Sequence, residues 1–315
     1  MGKKRLDEAT GVHTVGHEWD GIEELDNPMP RWWLYCLYAS IVFAIGYVIV
    51  YPAFPGIDGN SKGLWNWSSR GALEQQIAAD AARKAPIVSA IAATPIEDLP
   101  ARPDLMRAAV QGGAAAFRVH CVQCHGSDAA GSKGYPNLND DDWLWGGDLK
   151  AIQYSITYGV RNPDVAETHA GMMPAFLRDQ MLSRAQVDDV ISHVRVISGQ
   201  EKPSASSKRG AGVFADNCAA CHGAEGKGLR QFGAPNLTDG IWLFGGSREA
   251  LLESIGGGRQ GVMPAWHERL DPVTIKMLAA YVHALGGGEA NPAPEAGQAP
   301  DAERNDGAIN RPEAS

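Results

Sequence analysis

The fold class that the sequence predicts is all-α: one N-terminal transmembrane helix followed by two tandem copies of a small helical domain. Three observations predict it. The pentapeptide C-x-x-C-H is written twice, as Cys121-Val122-Gln123-Cys124-His125 and Cys218-Ala219-Ala220-Cys221-His222. The residues flanking both copies recur in register, which marks an internal repeat. From Trp32 to Tyr51 no residue is charged, a run as long as a bilayer core requires. The length of 315 residues fits about two domains beyond such a span.

In chain order, the leader carries Lys3, Lys4 and Arg5 and is then mostly acidic up to Asp26-Asn27-Pro28-Met29-Pro30, a string with the chemistry of a rigid turn. Paired tryptophans Trp32 and Trp33 at one end of the apolar run and Tyr51 at the other fit the aromatic belts of a membrane interface. A cleavable signal peptide would need a short basic leader and a small-residue cleavage site. This leader is long and acidic, and Pro52-Ala53-Phe54-Pro55 follows the run, so a retained anchor is expected. From Ser68 to Pro103 an alanine-rich stretch reads as partly helical, ending in a broken run from Pro86.

The repeats follow. Gly113 and Phe117 precede the first pentapeptide at the same spacing as Gly210 and Phe214 precede the second. Beyond the pentapeptides, Pro136-Asn137-Leu138 matches Pro235-Asn236-Leu237, and Trp143-Leu144-Trp145-Gly146-Gly147 matches Trp242-Leu243-Phe244-Gly245-Gly246. Gly171-Met172-Met173-Pro174-Ala175-Phe176 then matches Gly261-Val262-Met263-Pro264-Ala265-Trp266. Each repeat closes with an apolar helical stripe, Val187, Val190, Val194 and Ile197 in one, Ile275, Leu278, Val282 and Leu285 in the other. A glycine before the phenylalanine lets the closing helix cross the opening one closely. The stretch from Arg161 to Met173 is longer than that from Arg259 to Met263. After Gly286-Gly287-Gly288 the composition turns to Pro, Ala, Glu and Asp, which cannot bury a core.

C-x-x-C-H carries a specific chemistry, the covalent attachment of c-type haem. Two thiols three residues apart reach the two vinyl groups of one porphyrin, and the next histidine becomes the proximal iron ligand. The sequence therefore predicts two covalently bound haem c groups, held by Cys121 and Cys124 and by Cys218 and Cys221, with His125 and His222 as axial ligands. Zinc would pair the two C-x-x-C units into one tetrahedron, whereas they stand in separate repeats. Met173 and Met263, each before a proline, are the expected second axial ligands, and Met172 and His169 are the alternatives at the first haem. His120, His193, His267 and His283 read as surface or packing residues. No catalytic base, nucleophile or phosphate loop is found. A net charge of −9 without a basic cluster excludes nucleic acid. Four of five cysteines are used by haem and Cys36 lies in the apolar run, so there is no disulfide framework.

Each repeat resembles a class I cytochrome c domain: opening helix with Gly-x-x-x-Phe, C-x-x-C-H, Met-Pro loop and closing helix. The leader, His17-Glu18-Trp19-Asp20-Gly21-Ile22-Glu23-Glu24 and then Asp26-Asn27-Pro28-Met29-Pro30-Arg31-Trp32-Trp33, resembles that of the CcoP/FixP family of cbb(3)-type cytochrome c oxidase subunits. The resemblance implies a bacterial cytoplasmic membrane protein of single-pass topology. Residues 1–31 are then a cytoplasmic segment, 32–54 the transmembrane helix and 55–103 a periplasmic connector. Residues 104–200 form the first cytochrome c domain, 201–207 a linker, 208–288 the second domain and 289–315 a disordered tail.

The implied function is electron relay. A periplasmic cytochrome c or a quinol–cytochrome c reductase donates; a monohaem cytochrome c subunit and the haem–copper catalytic subunit of the oxidase receive. With histidine and methionine on both irons there is no open position for oxygen. The alternatives are a membrane-anchored dihaem cytochrome c serving another respiratory complex or dehydrogenase, and a haem-based sensor.

Overall fold

The computed structural model describes residues 4–57 and 59–292. The chain forms two compact units that divide between Lys84 and Ala85.

The first unit opens with an antiparallel hairpin, β1 (Thr14–Trp19) and β2 (Ile22–Leu25). Its turn places Asp20 at φ 51° and Gly21 at φ 85°, the left-handed pair that a two-residue hairpin connection demands. The all-α expectation holds for the chain as a whole but passed over this hairpin. The signal was there, since Asp-Gly between extended runs is the strongest short-range hairpin signature. Helix α1 (Arg31–Val50) follows, 20 residues with no buried side chain, and an 18-residue window within it has a mean hydropathy of 2.0. At 1.5 Å per residue it spans about 30 Å, the thickness of a bilayer core. It stops earlier than the expected 54, because Tyr51 turns extended ahead of Pro52. Tyr51 then stacks on Tyr47 and meets the edges of Trp65 and Trp67, an aromatic collar at the helix end.

Helix α2 (Ser69–Ala93) is longer than the broken run from Pro86 suggested and continues through that proline. Proline removes one N–H from the ladder, a loss that an exposed helix can bear because water serves the freed carbonyl.

The second unit holds both haem motifs. Its helices are α3 (Pro103–His120), α4 (Val122–His125), α5 (Leu149–Tyr158), α6 (Arg184–Ile197), α7 (Ala205–Asn217), α8 (Ala219–His222), α9 (Arg248–Gly257) and α10 (Pro272–His283). The apolar stripes bury as their periodicity requires: Val187, Val190 and Val194 on α6, and Ile275, Leu278 and Val282 on α10.

The partners of those stripes are not the expected ones. Helix α10 packs on α3 and α5, and α6 packs on α7 and α9. One apolar core therefore joins Phe117, Leu149 and Ile152 of the first repeat to Ile275 and Leu278 of the second. The other joins Phe176, Val187 and Val190 of the first repeat to Phe214 and Leu251 of the second. Each repeat's opening half closes with the other's closing half. The second core is a continuous stretch of chain, nested inside the discontinuous first.

The expected linker, 201–207, is accordingly a turn within one core. Ser204 caps α7 in a reciprocal box with Ser207, and Glu201 bonds Arg195 of α6 at 2.6 Å and Arg248 of α9 at 2.7 Å. The true crossings between cores lie at 158–171 and 257–263. Residues 289–292, expected in the tail, are held as well. Glu289 Oε2 accepts from the Gly147 amide at 2.8 Å, and Asn291 Oδ1 accepts from that of Leu149 at 3.3 Å. Residues 293–315 of the expected tail lie outside the described residues.

The two motif glycines make these crossings possible. A Cβ on Gly113 would collide with the Met277 carbonyl oxygen, and one on Gly210 with that of Asp189. Gly212 of the same helix α7 has open space beside it. Gly113→Ala is expected to cost about 2–3 kcal/mol through forced separation of α3 and α10. Gly212→Ala is expected to stabilise by about 0.5–1 kcal/mol through helix propensity alone. Thermal melts of the two variants, moving in opposite directions from wild type, check the pair.

Candidate haem-binding sites

Both pentapeptides are built in the same way. The opening helix ends at the first cysteine, which keeps right-handed helical dihedrals, and one further turn carries the second cysteine and the histidine. The Cys121 carbonyl accepts from the His125 amide at 3.0 Å, and the Cys218 carbonyl accepts from that of His222 at 3.0 Å. Gly126 and Gly223 then turn the chain away at φ 80° and 77°, where a side chain would be strained. Cys121 and Cys124 thus share one helical turn, as do Cys218 and Cys221.

The histidines are oriented by the loops that follow. His125 Nδ1 lies 3.1 Å from the Pro136 carbonyl oxygen, and His222 Nδ1 lies 3.1 Å from that of Pro235. A carbonyl only accepts, so Nδ1 bears the proton and Nε2 keeps its lone pair for a metal. Burial lowers both imidazole pKa values, which the proline carbonyls only partly offset, so the rings stay neutral. Sequence reasoning matched the two Pro-Asn-Leu strings but missed this role. Their recurrence at nearly constant distance from the histidines was the available signal.

Burial first, and then the neighbouring cysteine, pushes the Cys121 and Cys218 thiols up to about 11. Such thiols are protonated at neutral pH. They suit addition to a vinyl group, which consumes an S–H.

The methionine loops dock crosswise. Val160 and Met263 exchange both backbone hydrogen bonds at 3.0 Å, and the Trp266 amide donates to the Ile156 carbonyl at 3.2 Å. The Met263 loop thus sits on the end of α5, in the core that carries Cys121. Symmetrically, the Phe176 and Leu177 amides donate to the Ile255 and Gly256 carbonyls at 3.1 and 3.3 Å. The Met173 loop therefore sits on the end of α9, in the core that carries Cys218. A cavity of about 740 Å³ is lined there by Met173, Phe214, Cys218, Cys221, His222 and Leu237. Its size is that of a cofactor pocket, and its apolar walls and convergent sulfur and imidazole groups are the donor set that a covalent haem needs.

Met172 and Met173 both line this cavity. Met172 is 70% exposed, while Met173 packs against the second core. His169 stacks on Trp145, with ring centroids 4.2 Å apart, and its Nε2 lies 3.0 Å from the Ser155 hydroxyl. The remaining histidines of the second unit pack or bond locally: His120 against Trp266, His193 against Phe214, His267 to the Thr157 carbonyl and His283 to that of Glu289.

Three family profiles match the chain. They are the N-terminal domain of cytochrome oxidase-cbb3, FixP, over residues 11–58, cytochrome c over 110–198, and cytochrome c oxidase, cbb3-type, subunit III, over 205–282. A Cereibacter sphaeroides protein named Cbb3-type cytochrome c oxidase subunit CcoP is 51% identical over 88% of this chain and 95% of its own length. Proteins named Cbb3-type cytochrome c oxidase subunit FixP are each 48% identical in Azorhizobium caulinodans, over 90% of this chain and 96% of theirs, and in Rhizobium meliloti, over 91% and 98%.

Proposed function

Because this chain belongs to the CcoP/FixP family of cbb3-type cytochrome c oxidase subunits, we propose that it relays electrons through two haem c groups held by crossed ligand sets. The protein is the dihaem electron-transfer subunit of that oxidase, anchored in the membrane through its N-terminal apolar helix. In the proposed sites, Cys121 and Cys124 hold one haem between His125 and Met263, and Cys218 and Cys221 hold the other between His222 and Met173. The observation that carries the pairing is the docking of each methionine loop on the helix that follows the other repeat's C-x-x-C-H.

When bound, each haem supplies an iron that takes up and gives back one electron. The chain's own residues do the rest. The cysteines would hold each macrocycle through thioether bonds, imidazole Nε2 and methionine sulfur would bind its iron, and the aromatic and aliphatic walls would keep water out. Asp142, on the wall of the cavity, is pushed up to about 6 by burial and by Asp239, Asp140 and Asp141. Near neutral pH that carboxyl is still mostly ionised, and the proton it takes up as pH falls towards 6 removes negative charge that opposes reduction.

The finer assignment follows the family chemistry. The amino terminus is cytoplasmic and both haem cores periplasmic. The donor is a periplasmic cytochrome c or a quinol–cytochrome c reductase, and electrons leave through a monohaem cytochrome c subunit to the haem–copper subunit. Purification in mild detergent, with pyridine haemochrome analysis and identification of companions, tests the reading. Two haem c per chain and a co-purifying haem–copper subunit are expected; one haem, or no such companion, overturns it.

A further inference from the structure

Arg161 stands at the first crossing between the two cores, at φ 52°, a strained angle for a residue with a Cβ. Its guanidinium bonds the loops of both methionines. Nε donates to the Gly261 carbonyl at 2.7 Å and Nη1 donates to the Gly171 carbonyl at 2.7 Å. Gly261 lies two residues before Met263, and Gly171 lies two residues before Met173. The backbone amide of Arg161 adds a third tie, to the His169 carbonyl at 2.7 Å. The side chain is half-buried on the wall of the cavity. Among the described residues it forms no ion pair, whereas its repeat counterpart Arg259 pairs with Glu253 and lies over the Phe244 ring.

We propose that Arg161 is a shared positioning residue, one guanidinium that holds both methionine sulfurs in ligating register and places its positive charge beside both haems. The proposal rests on the crossed-ligand reading above. A rigid fork reaches two carbonyls on two different loops at once, which a lysine ammonium on a flexible stem does poorly. Its charge favours the iron state with fewer positive charges, the reduced one, at both sites.

The test uses the full chain, matured with both haems. Carbon monoxide binding to the reduced protein reads how often a methionine leaves its iron, and a potentiometric titration reads the charge. In R161Q, carbon monoxide occupancy is expected to rise about tenfold or more at both haems, as loss of a charge-assisted hydrogen bond to each loop implies. Both midpoint potentials fall. In R161K, which keeps the charge, both potentials stay close to wild type while carbon monoxide occupancy still rises at both; if R161Q does not mature, this variant alone decides. A change at one haem only, or a lowered melting temperature with carbon monoxide occupancy and potentials unchanged, overturns the proposal. Wild-type protein that already binds carbon monoxide at either haem instead overturns the ligand reading beneath it.

Discussion

In a chain carrying Cys218→Ala and Cys221→Ala, so that haem is held only at Cys121 and Cys124, Met263→His is expected to lower the midpoint potential while Met173→His leaves it unchanged. The drop is roughly 0.1–0.3 V, a share of the ~0.8 V that axial ligands command, because imidazole nitrogen donates more strongly than thioether sulfur and favours the oxidised iron. In the reciprocal chain, with Cys121 and Cys124 replaced by alanine, Met173→His lowers the potential and Met263→His does not. The physical reason is the register of the loops. Met263 exchanges two backbone bonds with Val160 at the end of α5, so its side chain belongs to the core of Phe117 and Cys121. Potentiometric titration of the four variants checks the assignment, and Met173→His shifting the Cys121 haem would mean that each repeat closes on itself.

The sequence points to the cysteines and histidines because each stands at the same offset in two repeats, and to Met173 and Met263 because each precedes Pro-Ala and an aromatic residue, although the two methionines lie at different distances from their pentapeptides. The span was legible from the absence of charge between Trp32 and Tyr51. The pairing of halves was not, and the repeat itself hid it. Helices α6 and α10 present the same apolar spacing, and Gly113 and Gly210 offer the same cleft, so either closing helix suits either opening helix. What breaks the tie is connection length. Only residues 198–204 separate α6 from α7, and short connections make antiparallel neighbours. Once Gly210 lies against the Asp189 carbonyl, α6 has spent its apolar face on α7 and α3 must take α10. The joint expected as a linker at 201–207 contains Ser204 and Ser207, which serve as a helix cap. The role of Arg161 was beyond reach for another reason. Its two acceptors are backbone carbonyls, Gly171 and Gly261, which no residue type announces.

Nesting also dictates where the chain can be cut. A chain ending at Gln260 lacks the Met263 loop and α10, and with them Ile275, Leu278, Ala279, Ala280 and Val282, all buried in the first core. Each large apolar side chain removed from a core costs about 2–5 kcal/mol, so the loss exceeds the ~5–15 kcal/mol that holds a domain together. The Cys121 core is therefore expected to unfold and its haem to bind carbon monoxide. The Cys218 core keeps all its elements, from the Met173 loop through α9, and its haem stays closed to carbon monoxide. A chain ending at Ser198, the natural boundary of the first repeat, has the opposite content: α3 without α10 and α6 without α7. Its single haem at Cys121 and Cys124 is expected to lack a methionine ligand and to bind carbon monoxide fully, although the repeat is complete in sequence. Visible spectra of the two reduced chains before and after carbon monoxide addition decide between the architectures. A closed, methionine-ligated haem in the shorter chain would restore two independent domains in place of one nested inside the other.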